Sequence, residues 1–310
     1  MNNNLCSRIS ENISRVIAGK KDIIELILTA LLAEGHVLLE AVPGTGKTLM
    51  TKSLAKSISG KFSRIQFTPD LLPGDITGYN VYSQKDGDFR FQSGPVMTNI
   101  LLADEINRAI PRTQSSLLES MEERQVTVDS KTYMLPSPFI VMATQNPIEL
   151  EGTFPLPEAQ LDRFLLKINM GYPGLEEEEI ILKRFQVQDP LEKLGPVAGH
   201  EEIITMQQKR REITVSDPVR RYIIELTART RSSEKTRFGA SPRGSLGLMR
   251  ASQSLALLSG RNYVLPDDVK KAAAPVLAHR IILTEEAVLS GENPVNIIME
   301  TIDTVPVPAG

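Results

Sequence analysis

The segment from Ala41 to Thr48 constrains the fold of this 310-residue chain more than any other. It reads Ala-Val-Pro-Gly-Thr-Gly-Lys-Thr, follows a short apolar run at 36–40 and precedes a helical pattern over 47–57. Its glycines let the backbone turn N–H groups inward, and the N-terminus of the next helix favours an anion. A strand, a glycine-rich loop and a helix in this order are typical of a phosphate-binding loop in an α/β protein.

The loop also supplies side chains for a nucleotide and its metal ion. Lys47 is expected to reach the β- and γ-phosphates, and the hydroxyl of Thr48 is expected to ligate Mg²⁺. Ala41 replaces the usual first glycine. If that position needs a positive φ, alanine costs about 1 kcal/mol of strain there and would weaken binding. The predicted nucleotide contacts in the loop are Pro43, Gly44, Thr45, Gly46, Lys47, Thr48 and Leu49.

Two carboxylates follow the apolar strand pattern at 99–103. Asp104 and Glu105 would then lie at the carboxyl edge of a parallel sheet, where α/β folds bind ligands. Asp104 is expected to hold Mg²⁺ through water, and Glu105 to activate or orient the attacking water. Any buried strand can end in acids, but downstream of a phosphate loop the pair predicts hydrolysis of a nucleoside triphosphate.

Asn146 and Arg163 are further candidate catalytic residues. Asn146 follows the strand pattern at 139–143 and could hydrogen-bond both the water and the γ-phosphate, although an Asn-Pro turn with Pro147 explains it equally simply. Arg163 could stabilise the charge that spreads over the phosphoryl oxygens. Taken alone, Arg163 is more often a salt-bridge partner of Asp162 or Glu158.

The order of the patterns predicts an α/β core, residues 1–171, and a small all-α lid, residues 172–310. Strand patterns at 36–40, 62–67, 99–103 and 139–143 alternate with helices, which favours a parallel sheet covered on both faces. From the boundary at 171–174 onward helical periodicity dominates, at 180–185, 219–230, 245–258 and 266–278. Before the third of these helices, Ser241 is a predicted cap and Pro242 a first-turn residue, followed by Arg243.

Two predicted hairpins, near 70–93 and 124–135, interrupt the core. In the first, Val81 precedes Asp86-Gly87, a dipeptide that suits a tight primed turn, and Phe89 and Phe91 follow it. In the second, Val126 and Val128 precede Asp129-Ser130 and Tyr133 follows.

Composition and charge exclude several classes of protein. The formal net charge is −3, and it is divided almost evenly between the two halves, so nucleic acid is not an expected partner. The single cysteine, Cys6, excludes an internal disulfide framework. We find neither a secretory signal nor an apolar run long enough to span a bilayer, and predict a cytoplasmic protein.

Together, these motifs resemble those of MoxR-family AAA+ ATPases. The matching segments are 42–48, 94–108, 118–127, 143–147 with Glu151-Gly152, and 156–164. The resemblance implies an AAA+ αβα core with a helical lid and ATP hydrolysis that requires Mg²⁺. It also implies a homo-oligomer, commonly a hexameric ring, whose active sites are shared between neighbours. Such proteins are thought to remodel or mature a protein client together with a von Willebrand factor A (VWA) domain protein.

The same resemblance assigns residue roles. Asn146 matches the sensor-1 position, Arg163 the arginine finger and Arg243 the sensor-2 arginine. Ile17 and Gly19 fall where the family contacts adenine, with Lys20 in place of the usual glutamine. The hairpins at 79–92 and 124–135 match the helix-2 insert and the pre-sensor-1 hairpin, which commonly face the channel of the ring.

Two alternatives remain open from the sequence. A nucleic-acid-translocating motor could use Lys85 or Lys131 on the hairpins to contact phosphates, although the net charge disfavours it. A slow ATP-dependent switch is favoured by Ala41 in the phosphate loop.

Overall fold

A computed structural model describes residues 2–85, 87–146, 152–186 and 188–308. Asp86 of the first predicted turn, Pro147, and Glu151 of the family motif lie outside the described residues. No helix in the described ranges is both long enough and apolar enough to cross a bilayer.

The core and the lid contain the following elements. The first part of the chain forms α1 (Asn2–Ser14), α2 (Lys21–Leu32), β1 (Val37–Glu40), α3 (Lys47–Ser57), β2 (Phe62–Gln66), α4 (Pro73–Thr77), β3 (Gly78–Ser83), β4 (Asp88–Ser93), β5 (Ile100–Asp104), α5 (Pro111–Glu123), β6 (Gln125–Val128), β7 (Lys131–Met134), β8 (Ile140–Gln145), α6 (Glu158–Leu161) and β9 (Leu166–Asn169). The second part forms α7 (Leu175–Phe185), α8 (His200–Glu212), α9 (Asp217–Ser232), β10 (Thr236–Phe238), α10 (Pro242–Leu258), α11 (Pro266–Leu277), β11 (Ile282–Leu283), α12 (Glu285–Leu289) and α13 (Pro294–Thr304).

Five parallel strands form the central sheet, in the order β2–β5–β8–β1–β9. All of β5 is buried, because apolar helices cover both faces of the sheet. Side chains of α1, α2 and α3 pack on one face, with Leu39 and Leu102, and side chains of α5 pack on the other, with Leu38 and Leu101. The predicted α/β fold with a central parallel sheet is therefore confirmed.

The four predicted strand patterns correspond to β1, β2, β5 and β8, whereas β9 was not predicted from the sequence. The four residues of β9 alternate between apolar and polar: the core residues Leu166 and Ile168 are each followed by a polar residue, Lys167 and Asn169. Such a short alternation is a weak signal. Because all five strands are parallel, their ends define a carboxyl edge and an amino edge of the sheet.

Both predicted hairpins form. In the second, Asp129 and Ser130 both have positive φ and make a two-residue turn between β6 and β7. In the first, Ser83 pairs with Asp88, and the N–H of Gly87 donates to the carbonyl of Ser83 at 2.8 Å. The predicted Asp86-Gly87 turn includes Asp86, which lies outside the described residues.

The two hairpins pack against each other. The rings of Phe91 and Tyr133 stack with centroids 3.9 Å apart, and Nδ2 of Asn80 donates to Asp129 at 2.8 Å. Tyr82 and Phe89 remain largely exposed on the first hairpin.

The predicted helical lid is confirmed, and its description as all-α is corrected in one detail. Strands β10 and β11 form a short antiparallel pair. Three and two residues are too few to produce the alternation that identifies a strand in a sequence. The cap of α10 is as predicted, since Ser241 Oγ accepts from the N–H of Arg243 at 3.2 Å. The boundary at residues 171–174 remains a prediction.

Candidate nucleotide site

The phosphate loop joins the carboxyl end of β1 to the N-terminus of α3. Gly44 and Gly46 have φ of +84° and +87°, and a Cβ on either would point into open space with nothing within 4 Å. The space beside these two glycines is therefore open, and it lies next to the N-terminus of α3. This is the arrangement that binds phosphate oxygens in α/β proteins.

Ala41 is not strained, contrary to one expectation from the sequence. It does not have a positive φ, and its N–H donates to the carbonyl of Gln145 at 3.2 Å, which continues the pairing of β1 with β8. Because φ is not positive there, glycine is not needed. The structural reason for expecting weak binding, and for favouring a slow switch, is therefore removed.

Lys47 and Asp104 meet at the carboxyl edge. Lys47 Nζ lies 3.6 Å from Asp104 Oδ1, and both side chains are buried. The same Oδ1 accepts from Thr144 Oγ1 at 2.7 Å, while Oδ2 accepts from Arg64 Nη2 at 2.7 Å. Burial raises the pKa of Asp104, but the hydrogen bonds from Thr144 and Arg64 and the charge of Lys47 outweigh it and hold that pKa below its usual value. Asp104 is therefore an anion at neutral pH.

Glu105 is held in an unusual conformation by three neighbours. Its φ is +57°, a left-handed conformation that costs a residue with a side chain about 1 kcal/mol or more. Its backbone N–H donates to Thr144 Oγ1 at 2.8 Å. Its Oε2 accepts from Gln66 Nε2 at 2.8 Å and lies 3.0 Å from Arg108 Nε.

Thr144, Arg64 and Gln66 also contact the two carboxylates, and the sequence did not predict them as site residues. β2 and β8 flank β5 on its two sides, so their polar side chains reach the two carboxylates from opposite directions. The available signal was polar residues within otherwise apolar strands next to the strand that ends in Asp104.

Asn146 is buried one residue beyond β8, between the strands that end in Asp104 and in the phosphate loop. The structure thus brings Lys47, Thr48, Asp104, Glu105 and Asn146 to one edge of the sheet. Their individual roles remain predictions.

The predicted adenine segment lies beside this edge. Lys20 Nζ donates to the carbonyls of Met170, Gly171 and Tyr172 at 2.5–3.2 Å, which ties the segment to the loop after β9. Ile17 is buried, and the Glu177 side chain occupies the space where a Cβ on Gly19 would be. Lys20 therefore has a structural role at the position where the family usually has glutamine.

The two predicted arginines lie elsewhere. Arg163 Nε is 3.2 Å from Glu122 Oε2, and Arg243 Nη2 is 3.2 Å from Glu122 Oε1. The sequence suggested Asp162 or Glu158 as the salt-bridge partner of Arg163. The structure gives Glu122 instead, because α5 brings this residue close from a distant part of the chain. Arg163 precedes β9 and so belongs to the amino edge of the sheet, opposite the phosphate loop.

Comparison with known proteins agrees with this geometry. A family model described as ATPase family associated with various cellular activities (AAA) matches residues 36–166, and a model of the AAA lid domain matches residues 228–301. Chaperone MoxR1 of Mycobacterium tuberculosis is 46% identical over 305 residues, which cover 96% of this chain and 80% of that protein. The chain belongs to the MoxR family of AAA+ ATPases.

Two further matches span nearly the whole chain. Uncharacterized protein YeaC of Bacillus subtilis is 51% identical over 304 residues, or 98% of this chain and 95% of that protein. A crystal structure of a candidate ATPase from Cytophaga hutchinsonii has a TM-score of 0.94 and 39% identity, and covers 99% of this chain and 96% of that one. These two matches therefore cover both the core and the lid.

AAA+ ATPases bind nucleotide, usually with Mg²⁺, and the residues present suit both. The open space above Gly44 and Gly46 accommodates phosphate, and Thr48 and Asp104 offer the oxygen ligands that Mg²⁺ prefers. Because both oxygens of Asp104 are already hydrogen-bonded, this carboxylate would hold the ion through water.

Proposed function

We propose that this protein hydrolyses MgATP in sites shared between neighbouring subunits of a ring, a hexamer by family resemblance, and uses the energy to remodel a protein client. The observation that carries the proposal is the division of the site residues between two edges of one sheet. The phosphate loop and its carboxylates lie at the carboxyl edge, and Arg163 and Arg243 converge at the amino edge.

The separation of the edges favours a site built from two chains. The carbonyl of His36, five residues before Ala41, accepts from the N–H of Leu165 at 2.9 Å, which places His36 and Leu165 at the amino edge. Five extended residues span about 17 Å. An arginine side chain cannot cover that distance, so Arg163 would complete the site of the next subunit, where a positive charge stabilises the transferred phosphoryl group.

In the proposed mechanism the loop backbone and Lys47 bind the triphosphate. Glu105 orients the attacking water and accepts its proton, for which its carboxylate must exchange the hydrogen bond to Gln66 for one to the water. Asn146 would hold the water and the γ-phosphate in line. Bound Mg²⁺ would supply polarisation of the phosphoryl oxygens. Arg163 and Arg243 of the neighbour would neutralise the charge that develops on those oxygens.

The client and partner assignments have different support. A relative of this chain is named a chaperone, and Tyr82 and Phe89 expose aromatic surface on the paired hairpins, where a client segment could bind. The VWA-domain partner and cytoplasmic location are proposed from the family resemblance and the sequence alone.

Complementation between two variants tests the shared site. We expect Glu105→Gln to bind ATP without turnover, and Arg163→Ala to be inactive. Mixed rings should regain activity, because Glu105→Gln subunits supply arginines to the intact carboxylates of Arg163→Ala subunits. Failure of rescue in mixtures that co-assemble would contradict the proposal.

Affinity purification of Glu105→Gln with ATP tests the client assignment. Retention of a protein that is released when ATP is omitted would support remodelling. Tight, salt-sensitive binding of single-stranded DNA without such a protein would favour the nucleic-acid motor instead.

A further inference from the structure

Glu122 joins two arginines that come from different parts of the fold. It lies in the last turn of α5 in the core, and each of its carboxylate oxygens contacts one guanidinium at 3.2 Å, Arg163 from the core and Arg243 from the lid. One carboxylate thus holds both groups in positions from which they could bind a single anion. Neither the motifs nor the family comparisons assign Glu122 a role.

A second contact fixes the backbone beneath these arginines. The Arg280 side chain, 3% exposed, donates through Nε to Asp162 Oδ1 at 2.6 Å and through Nη2 to the carbonyl of Phe164 at 2.7 Å. Arg163 therefore lies between two residues that the lid holds. Ser241, two residues before Arg243, contacts the same Asp162 carboxylate at 3.4 Å.

The local charge makes such an anchor necessary. The arginines line a cavity of about 830 Å³ together with five further arginines and only three acids. In this surplus of positive charge, two unanchored guanidiniums would repel each other and turn toward solvent. Glu122 contacts Nε of Arg163 and not its two η nitrogens. Those two nitrogens can still donate hydrogen bonds to phosphoryl oxygens.

We propose that Glu122 is a positioning residue for hydrolysis in the neighbouring subunit. It pre-orients Arg163 and Arg243 as a pair, so that both meet the γ-phosphate when two subunits assemble. The inference rests on the proposed function, because it assumes that these arginines act across the interface. In this role Glu122 acts only through the two guanidiniums that it contacts.

Steady-state ATP hydrolysis of Glu122→Ala and Glu122→Gln tests this role. Misplacement of a catalytic group by about 1 Å costs up to about 100-fold in rate, so we expect kcat to fall about 10- to 100-fold. KM for ATP should stay within about two-fold, since the loop of the same chain binds the nucleotide. Glu123→Gln is the matched control, because it removes the same charge from the next residue of α5, an exposed one. It should retain wild-type kcat.

Mixed rings separate positioning from general damage. Glu122→Ala subunits keep an intact phosphate loop, so Glu105→Gln subunits, which carry intact arginines, should restore turnover above the sum of the two variants alone. Three results would each overturn the inference: an unchanged or higher kcat in Glu122→Ala, a loss equal to that of Glu123→Gln, or no rescue in co-assembled mixtures. ATP turnover absent from the wild-type protein would instead refute the proposed function on which it rests.

Discussion

Replacing Thr144 by valine tests how the two carboxylates of the site are held. The Thr144 hydroxyl donates to Asp104 Oδ1 at 2.7 Å and accepts from the N–H of Glu105 at 2.8 Å, and the side chain is fully buried. Valine has nearly the same shape but can do neither. Both the stability of the fold and the conformation of Glu105 should therefore respond to this one change.

The expected loss of stability follows from the two contacts. A hydrogen bond to a charged group contributes about 1.5–3 kcal/mol, and a buried N–H left without a partner costs about 1–3 kcal/mol. We therefore expect Thr144→Val to lower the free energy of unfolding by about 3–5 kcal/mol. Thr144→Ser is the matched control: it keeps the hydroxyl and removes one buried methyl group, for about 1 kcal/mol.

Urea unfolding at pH 7, followed by fluorescence or circular dichroism, measures the difference, and ATP hydrolysis is measured on the same samples. Thr144→Val should also lose turnover about 10-fold or more, because Glu105 would no longer be anchored. The difference from wild type should shrink as pH falls through the folded pKa of Asp104, below which the carboxylate is neutral. Equal stability and equal turnover of Thr144→Val and Thr144→Ser would refute the reasoning.

Three further predictions concern the loop, a buried histidine and the cysteine. Gly46→Ala should weaken ATP binding, measured by calorimetry, about 10-fold or more, because it places a methyl group in the phosphate space. Gly87 has a comparable positive φ in a hairpin loop, so Gly87→Ala should lower the stability by a similar amount without affecting ATP binding. Burial, with the charge of Arg124, lowers the pKa of His36 to about 3, so the unfolded chain binds a proton that the folded chain does not. As the pH falls from about 6.5 to 3, the free energy of unfolding should therefore decrease by up to about 1.4 kcal/mol per pH unit. His36→Gln should reduce that slope in urea titrations. Burial raises the pKa of Cys6 to about 11, so a thiol reagent at pH 8 should label it only after denaturant is added.

Features set by contiguous residues could be predicted from the sequence. The loop from Ala41 to Thr48 carries its own glycines and lysine, and the apolar runs of β1, β2, β5 and β8 are distinct from the helices between them. The cap of α10 at Ser241 likewise depends on neighbours in the chain.

Features that depend on register and distant packing could not be predicted. Arg64 reaches Asp104 only because β2 pairs with β5, and that strand order is not encoded in either segment alone. Glu122 meets Arg163 and Arg243 because α5 and the lid converge at the amino edge. A motif gives residue types but not φ angles, so only the structure shows that Ala41 has no positive φ and that glycine is not needed there.

Isothermal titration calorimetry of the purified protein with ATP and Mg²⁺ tests the central claim most directly. We expect a saturable binding heat in the wild type that Lys47→Ala abolishes, and Lys52→Ala on the exposed face of the same helix should bind as the wild type does. No binding heat in the wild type, or the same affinity in Lys47→Ala, would contradict the assignment of this loop as the triphosphate site.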